Sequence, residues 1–67
     1  MEGIEKRFTY HSPKGDQPAK YEKLRNMVKG LALEFDESAP DSREKSLAIT
    51  KLEEAVMWVN AAIARNE

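Results

Sequence analysis

The sequence predicts an all-α protein: an antiparallel helical hairpin with an extended N-terminal arm, assembling into a homo-oligomer. Three observations carry that expectation. Apolar residues recur at alternating steps of three and four along two long segments, four of the six Gly and Pro residues fall within the first eighteen positions, and one stretch near the end is apolar on every side of a helix.

The elements follow in order along a single domain, residues 1–67. Gly3, Pro13, Gly15 and Pro18 mark residues 1–15 as an arm without regular structure. Asp16 or Gln17 can then cap a first helix over 16–35, with Pro18 in its first turn, where a missing N–H leaves no intrahelical bond unmade. Along it Tyr21, Leu24, Val28, Leu31 and Phe35 form one stripe. Gly30 interrupts that stripe at a cost of ~1 kcal/mol against alanine, either tolerated or required by the close approach of another backbone. Acidic residues oppose the negative end of a helix, and proline excludes the helical region for its predecessor, so 36–41, Asp-Glu-Ser-Ala-Pro-Asp, reads as the turn. Asp41 with Glu44 resembles a capping box and opens a second helix over 42–66, about 37 Å long. A connection this short joins antiparallel neighbours.

On the second helix Leu47, Ala48, Leu52, Ala55, Val59 and Ala62 or Ile63 make a stripe toward the first. Ala55 to Ala64, however, reads Ala-Val-Met-Trp-Val-Asn-Ala-Ala-Ile-Ala, with nine of ten positions apolar, so no polar face remains there. A helix apolar all round has to be covered all round, and one partner helix covers roughly a third of its circumference. Sister subunits are expected to supply the rest, with Met57 and Trp58 contributing the largest areas.

Composition narrows the function. At 67 residues a self-sufficient core is marginal, and with no cysteine and one histidine neither disulfides nor a structural metal can make up the deficit. Eleven basic against twelve acidic side chains give a net charge of −1, unlike a general DNA or RNA binder. No segment approaches the ~20 apolar residues of a membrane span or has the layout of a signal peptide, so a soluble protein without membrane contact is expected. The charge is uneven: residues 1–30 carry seven basic and four acidic groups, and residues 31–67 carry four and eight, so an anionic partner favours the first half.

Catalysis has no constellation to rest on, and no cofactor or metal site is expected. His11 and Ser12 are adjacent in an arm and point apart, while Glu53 and Glu54 diverge by ~100° on the helix beside Lys51. Binding is better supported. Arg7-Phe8-Thr9-Tyr10-His11-Ser12-Pro13-Lys14 interleaves cations, flat rings and hydroxyls, a mixture suited to bases and phosphates, and Lys20, Lys23 and Arg25 follow. On composition alone Phe8 and Tyr10 read first as core filler pinning the arm, with the lysines solvated, and one ring can anchor while the other faces a ligand. Arg65 complements the dipole at a helix end or serves a phosphate in a shared interface.

Two strings, FTYHSPKGDQPAKYEKLR at 8–25 and PDSREKSLAITKLEEAVMWVNAAIARN at 40–66, resemble the phage-encoded helical-hairpin family of cyclic-nucleotide sponges, the anti-CBASS and anti-Thoeris inhibitors that sequester bacterial immune messengers. The resemblance covers nearly the whole chain. It departs at Ser12, where a second proline is common in the family, which bears on the stiffness of the arm.

The resemblance implies a homohexamer in the cytoplasm of an infected bacterial host, enclosing messengers at subunit interfaces and blocking CBASS effectors without degrading the ligand. Two kinds of pocket are implied. One, for cyclic dinucleotides such as 3′,3′-cyclic GMP-AMP, stacks a base on Tyr10 and uses a basic residue of the first helix, Arg25 by position, with Lys20 and Lys23 as alternatives. The other, for cyclic trinucleotides, involves Arg65 with arm residues around His11, and Asn60. The rival expectation is a small interaction module that docks on a host protein through Met57 and Trp58.

Overall fold

The computed structural model describes residues 2–67, which form three helices: α1 (Glu2–Phe8), α2 (Gln17–Ser38) and α3 (Arg43–Asn66). Met1, the first residue of the expected arm, lies outside the described residues. The two long helices pack as an antiparallel hairpin, with Lys20 near the start of α2 meeting Glu67 just past α3, and Asp36 near the end of α2 meeting Lys45 in the first turn of α3.

The arm is not extended throughout. Residues 2–8 are helical, and the sequence contains the devices that close so short a helix: Lys6 and Arg7 lie against its negative end, Thr9 Oγ1 donates to the Glu5 carbonyl, and His11 Nε2 donates to the Lys6 carbonyl at 3.1 Å. Seven residues are too few for apolar periodicity to reveal. The remainder, residues 9–16, ends in a tight turn. Lys14 O accepts from Gln17 N at 2.9 Å while Gly15 takes φ 53°, a left-handed value that only glycine adopts without strain.

Pro18 falls in the first turn of α2 as expected, but Asp16 makes no side-chain cap. Gln17 instead reaches back to brace the turn before the helix: its Oε1 accepts from Lys14 N at 3.0 Å, and at 3% exposure it is the one buried residue among those described. The helix continues three residues beyond Phe35, to Ser38, because Lys45 compensates its acidic end. Lys45 Nζ donates to the carbonyls of Asp36 (2.9 Å) and Ala39 (3.0 Å) and pairs with the carboxylates of Asp36 (3.0 Å) and Asp41 (2.7 Å). The turn therefore contracts to residues 39–42, and Asp41 does not cap α3. Ser42 does, its Oγ accepting from Lys45 N at 3.1 Å while donating to Pro40 O.

The seam also differs from the expected stripes. On α2, Tyr21, Leu24, Val28 and Phe35 are half-buried, but Leu31 faces outward and Ala32 takes its place. A Cβ at Gly30 would meet nothing within 4 Å, so within one chain that glycine is tolerated rather than required. On α3 the half-buried line runs through Lys45, Ala48, Ile49, Leu52, Val56, Asn60 and Ile63, whereas Leu47, Ala55, Val59 and Ala62 lie at its margins or beyond.

The molecule measures 42 × 29 × 12 Å, with a radius of gyration of 14.8 Å where a compact chain of this length would have about 11 Å. A second helix layer, about 8–10 Å from the first, would exceed a Cα thickness of 12 Å. All the elements thus lie in a single layer, and among the described residues no apolar side chain is buried.

Candidate functional site

The expected binding residues divide between the open pole of the hairpin and the outer face of α3. At the pole, residues 9–16 join the start of α2 and the end of α3. Phe8 and Tyr10 are each 82% exposed, so neither ring pins the arm to its own hairpin, and both are presented outward. His11, expected as a ligand, is half-buried and engaged in closing α1.

The pole is organised by Glu67, which the sequence did not single out. Its carboxylate accepts from Lys20 Nζ at 2.7 Å and from Gln17 Nε2 at 3.3 Å, and its main-chain oxygen accepts from Lys14 Nζ at 3.1 Å. The hydrogen bond from Lys20, then that from Gln17, holds the Glu67 carboxyl below the usual carboxylate range, and the same contact raises Lys20. Beside it, Lys6 Nζ donates to Asn66 Oδ1 at 3.3 Å and Asn66 Nδ2 donates to Ala62 O at 2.9 Å.

The three candidate cations of α2 do not converge. Lys20 and Lys23 line one shallow depression of about 280 Å³ with Asp16 and Ala19. Arg25 lies five residues from Lys20, roughly 140° around the helix, exposed and without an ion pair among the described residues. Arg25 and Lys20 are therefore not interchangeable partners for one phosphate. Leu24 and Val28 instead border a small apolar cleft of about 80 Å³ with Ala55, Val56 and Val59 of α3.

On α3, Trp58 and Met57 are 56% and 55% exposed. Arg65 follows Trp58 by seven residues, so the two side chains leave the helix along nearly the same line, with Trp58 exposed and Arg65 half-buried. Asn60 lies near the seam, and its Oδ1 is buried without a hydrogen-bond partner. An orphaned acceptor costs stability until a donor reaches it. Glu53 and Glu54 are both exposed, and Glu54 lies 3.6 Å from Lys51. Among the described residues no group of His, Asp and Glu is arranged to hold a metal ion, and no helix is long and apolar enough to cross a membrane.

The fold and these positions define a class: a one-layer helical hairpin with an aromatic and basic linking segment at its open pole and a tryptophan face along its second long helix. The family model of the Acb2/Tad1 hairpin domain matches residues 2–64, and the chain belongs to that family. No curated protein and no solved structure matches it significantly.

Proposed function

We propose that this protein is an anti-defence sponge that binds cyclic oligonucleotide messengers at the junctions of a homo-oligomer, a hexamer by analogy with its family, and holds them intact in the cytoplasm of the infected host. The observation that carries the reading is the single layer. A domain needs two packed layers to bury a core. This chain has one, with no apolar side chain buried among the described residues and with Met57, Trp58 and Val59 on its surface. Sister copies of the same apolar face supply the missing layer.

Assembly also makes the pocket. A competitor for a scarce messenger needs a dissociation constant near nanomolar, about −12 kcal/mol. Two stacked bases supply roughly 2–6 kcal/mol. Charge-assisted bonds to two phosphates, at ~1.5–3 kcal/mol each, close the gap only in a preformed and nearly dry site. One layer 12 Å thick encloses nothing, whereas a junction brings Tyr10 of one copy against cations of another. Tyr10 provides the stacking face and Arg25 the uncommitted cation for a cyclic dinucleotide. Arg65, next to the tryptophan face, belongs to the trinucleotide pocket with Asn60 and His11. With Nε2 bonded to the Lys6 carbonyl, His11 would take part through Nδ1 or its ring face.

The test combines solution mass with calorimetric titration of 3′,3′-cyclic GMP-AMP and cyclic trinucleotides, followed by heat release and chromatography of the ligand. An oligomer that returns the messenger unchanged supports the sponge. Hydrolysed messenger would make the protein an enzyme. The exposed Trp58 and Met57 equally suit docking on a host protein, a reading that predicts a monomer or dimer unaffected by nucleotides.

A further inference from the structure

The Gln17 amide and the turn backbone that carries Lys14 are held by bonds that do not involve Glu67. Gln17 is 3% exposed, and its Oε1 is already committed to Lys14 N at 3.0 Å, so its amide N–H₂ is turned toward the outside. The Lys14 backbone is fixed in its turn by the Gln17 N to Lys14 O bond at 2.9 Å and by the left-handed Gly15, and from there its side chain reaches the pole. Lys20 rises from the next turn of α2, and the depression of about 280 Å³ that it lines with Lys23 leaves room on the solvent side. One rigid amide and two ammonium groups thus converge on the oxygens of a single residue, at 2.7 to 3.3 Å.

We propose that Lys14, Gln17 and Lys20 form an oxyanion cradle that Glu67 fills in the free protein and that a phosphate group enters by displacing it. A carboxylate brings two oxygens and one charge. A phosphate brings more oxygens and at least as much charge, and suits the same three donors better. Lys23 stands across the depression for a second phosphate, while Asp16 on its wall disfavours a large polyanion. Only the identity of the natural anion rests on the messenger reading; the cradle itself rests on the donor geometry. Under this proposal Lys20 serves a subsite separate from that of Arg25, about 140° away around α2, and Glu67 acts as a built-in competitor.

The experiment compares the full chain with its Glu67→Gln variant, titrated at low salt with inorganic pyrophosphate and separately with 3′,3′-cyclic GMP-AMP. With the competing charge gone, pyrophosphate should bind about 2- to 5-fold more tightly, the range set by losing a partly exposed ion pair. Adding Lys20→Met should abolish that gain. Equal pyrophosphate affinity in the two folded proteins, or a gain that survives Lys20→Met, overturns the cradle and leaves Glu67 as a plain fastening between α2 and α3. Should Glu67→Gln not fold, displacement is read in the natural chain as a shift of the Glu67 carboxyl carbon resonance on adding pyrophosphate, and a stationary resonance overturns the proposal. Pyrophosphate binding without cyclic dinucleotide binding keeps the cradle and removes the messenger. Cyclic dinucleotide binding with no gain from Glu67→Gln does the reverse.

Discussion

Replacing Trp58 by alanine tests the missing layer directly. The side chain lies off the α2–α3 seam and is 56% exposed, so its removal leaves the hairpin's own packing intact. With ~250 Å² of area for a tryptophan, that fraction is about 140 Å² open to a sister copy, worth about 3.5 kcal/mol per subunit at ~25 cal/mol per Å² if fully covered. At 1.4 kcal/mol per factor of ten, the concentration at which subunits associate should rise by about 300-fold. Sedimentation velocity over a dilution series reads this as wild-type oligomer persisting at concentrations where the variant has dissociated. Because the hairpin alone buries no apolar side chain among the described residues, helical circular dichroism should fall together with mass. If the variant sediments and melts like the wild type throughout, Trp58 is not a junction residue. If the unmutated chain is itself a stable monomer, the second layer is not made of sister copies.

Tyr10→Ala should weaken cyclic dinucleotide binding by about 1–3 kcal/mol through lost stacking, with the sedimenting mass unchanged; an unaltered isotherm removes Tyr10 from the pocket. Ser42→Ala should cost about 1 kcal/mol through loss of the α3 cap, lowering the melting temperature by roughly 4–8 °C for a domain this small, whereas Asp41→Asn should leave the N-terminal cap of α3 in place. The carboxyls of Glu67 and Asp41 are held below their ordinary values of 4.5 and 3.8, chiefly by hydrogen bonds from Lys20 and Lys45 respectively. Their contributions are therefore complete above those values and lost as pH falls through the lower folded-state values. Lys20 and Lys45 are raised above 10.5, chiefly by hydrogen bonds to Glu67 and Asp41, so their contributions are complete below 10.5 and lost as pH rises through the higher folded-state values. Melting temperature should thus decline at both extremes, and a Lys45→Met variant that kept the full acid and alkaline slopes of the wild type would show that the turn pairs carry none of it.

The hairpin was legible because its signal is repetitive: Tyr21, Leu24, Val28 and Phe35 repeat the helical period often enough to fix a face. What the sequence hid was local and singular. Helix α1 depends on Thr9 and His11 each reaching back to one carbonyl, and no periodicity announces that. The turn depends on Lys45, which resembled an ordinary surface lysine until folding brought the Asp36 and Ala39 carbonyls to it. Asp41 and Ser42 are adjacent capping residues, and only the fold decides that the Ser42 side chain faces the first free N–H groups while Asp41 turns to Lys45. The candidate site was partly legible. Aromatic and basic residues in the linking segment pointed to Tyr10, but the contact between Lys20 and Glu67 spans 47 positions and has no sequence signature.

The angular spacing of the cations follows from the same helix period that builds the seam, and it bears on how a thin chain can bind a small ligand. A side chain inside the seam is spent on its own partner helix, while one on the broad outer face would, in the proposed assembly, meet only another subunit. Groups at the flanks and poles are the ones that can close over a ligand from two sides. Arg25, Lys20 and the linking segment with Tyr10 occupy such positions, and Arg65 reaches one by following Trp58 toward the end of α3. In the proposed assembly Trp58 and Arg65 would divide the labour along one line of α3: the indole would supply apolar area that brings copies together, and the guanidinium would lie where that contact ends and an anion can enter. Altering the apolar member should therefore change mass and affinity together, whereas altering the charged member should change affinity alone.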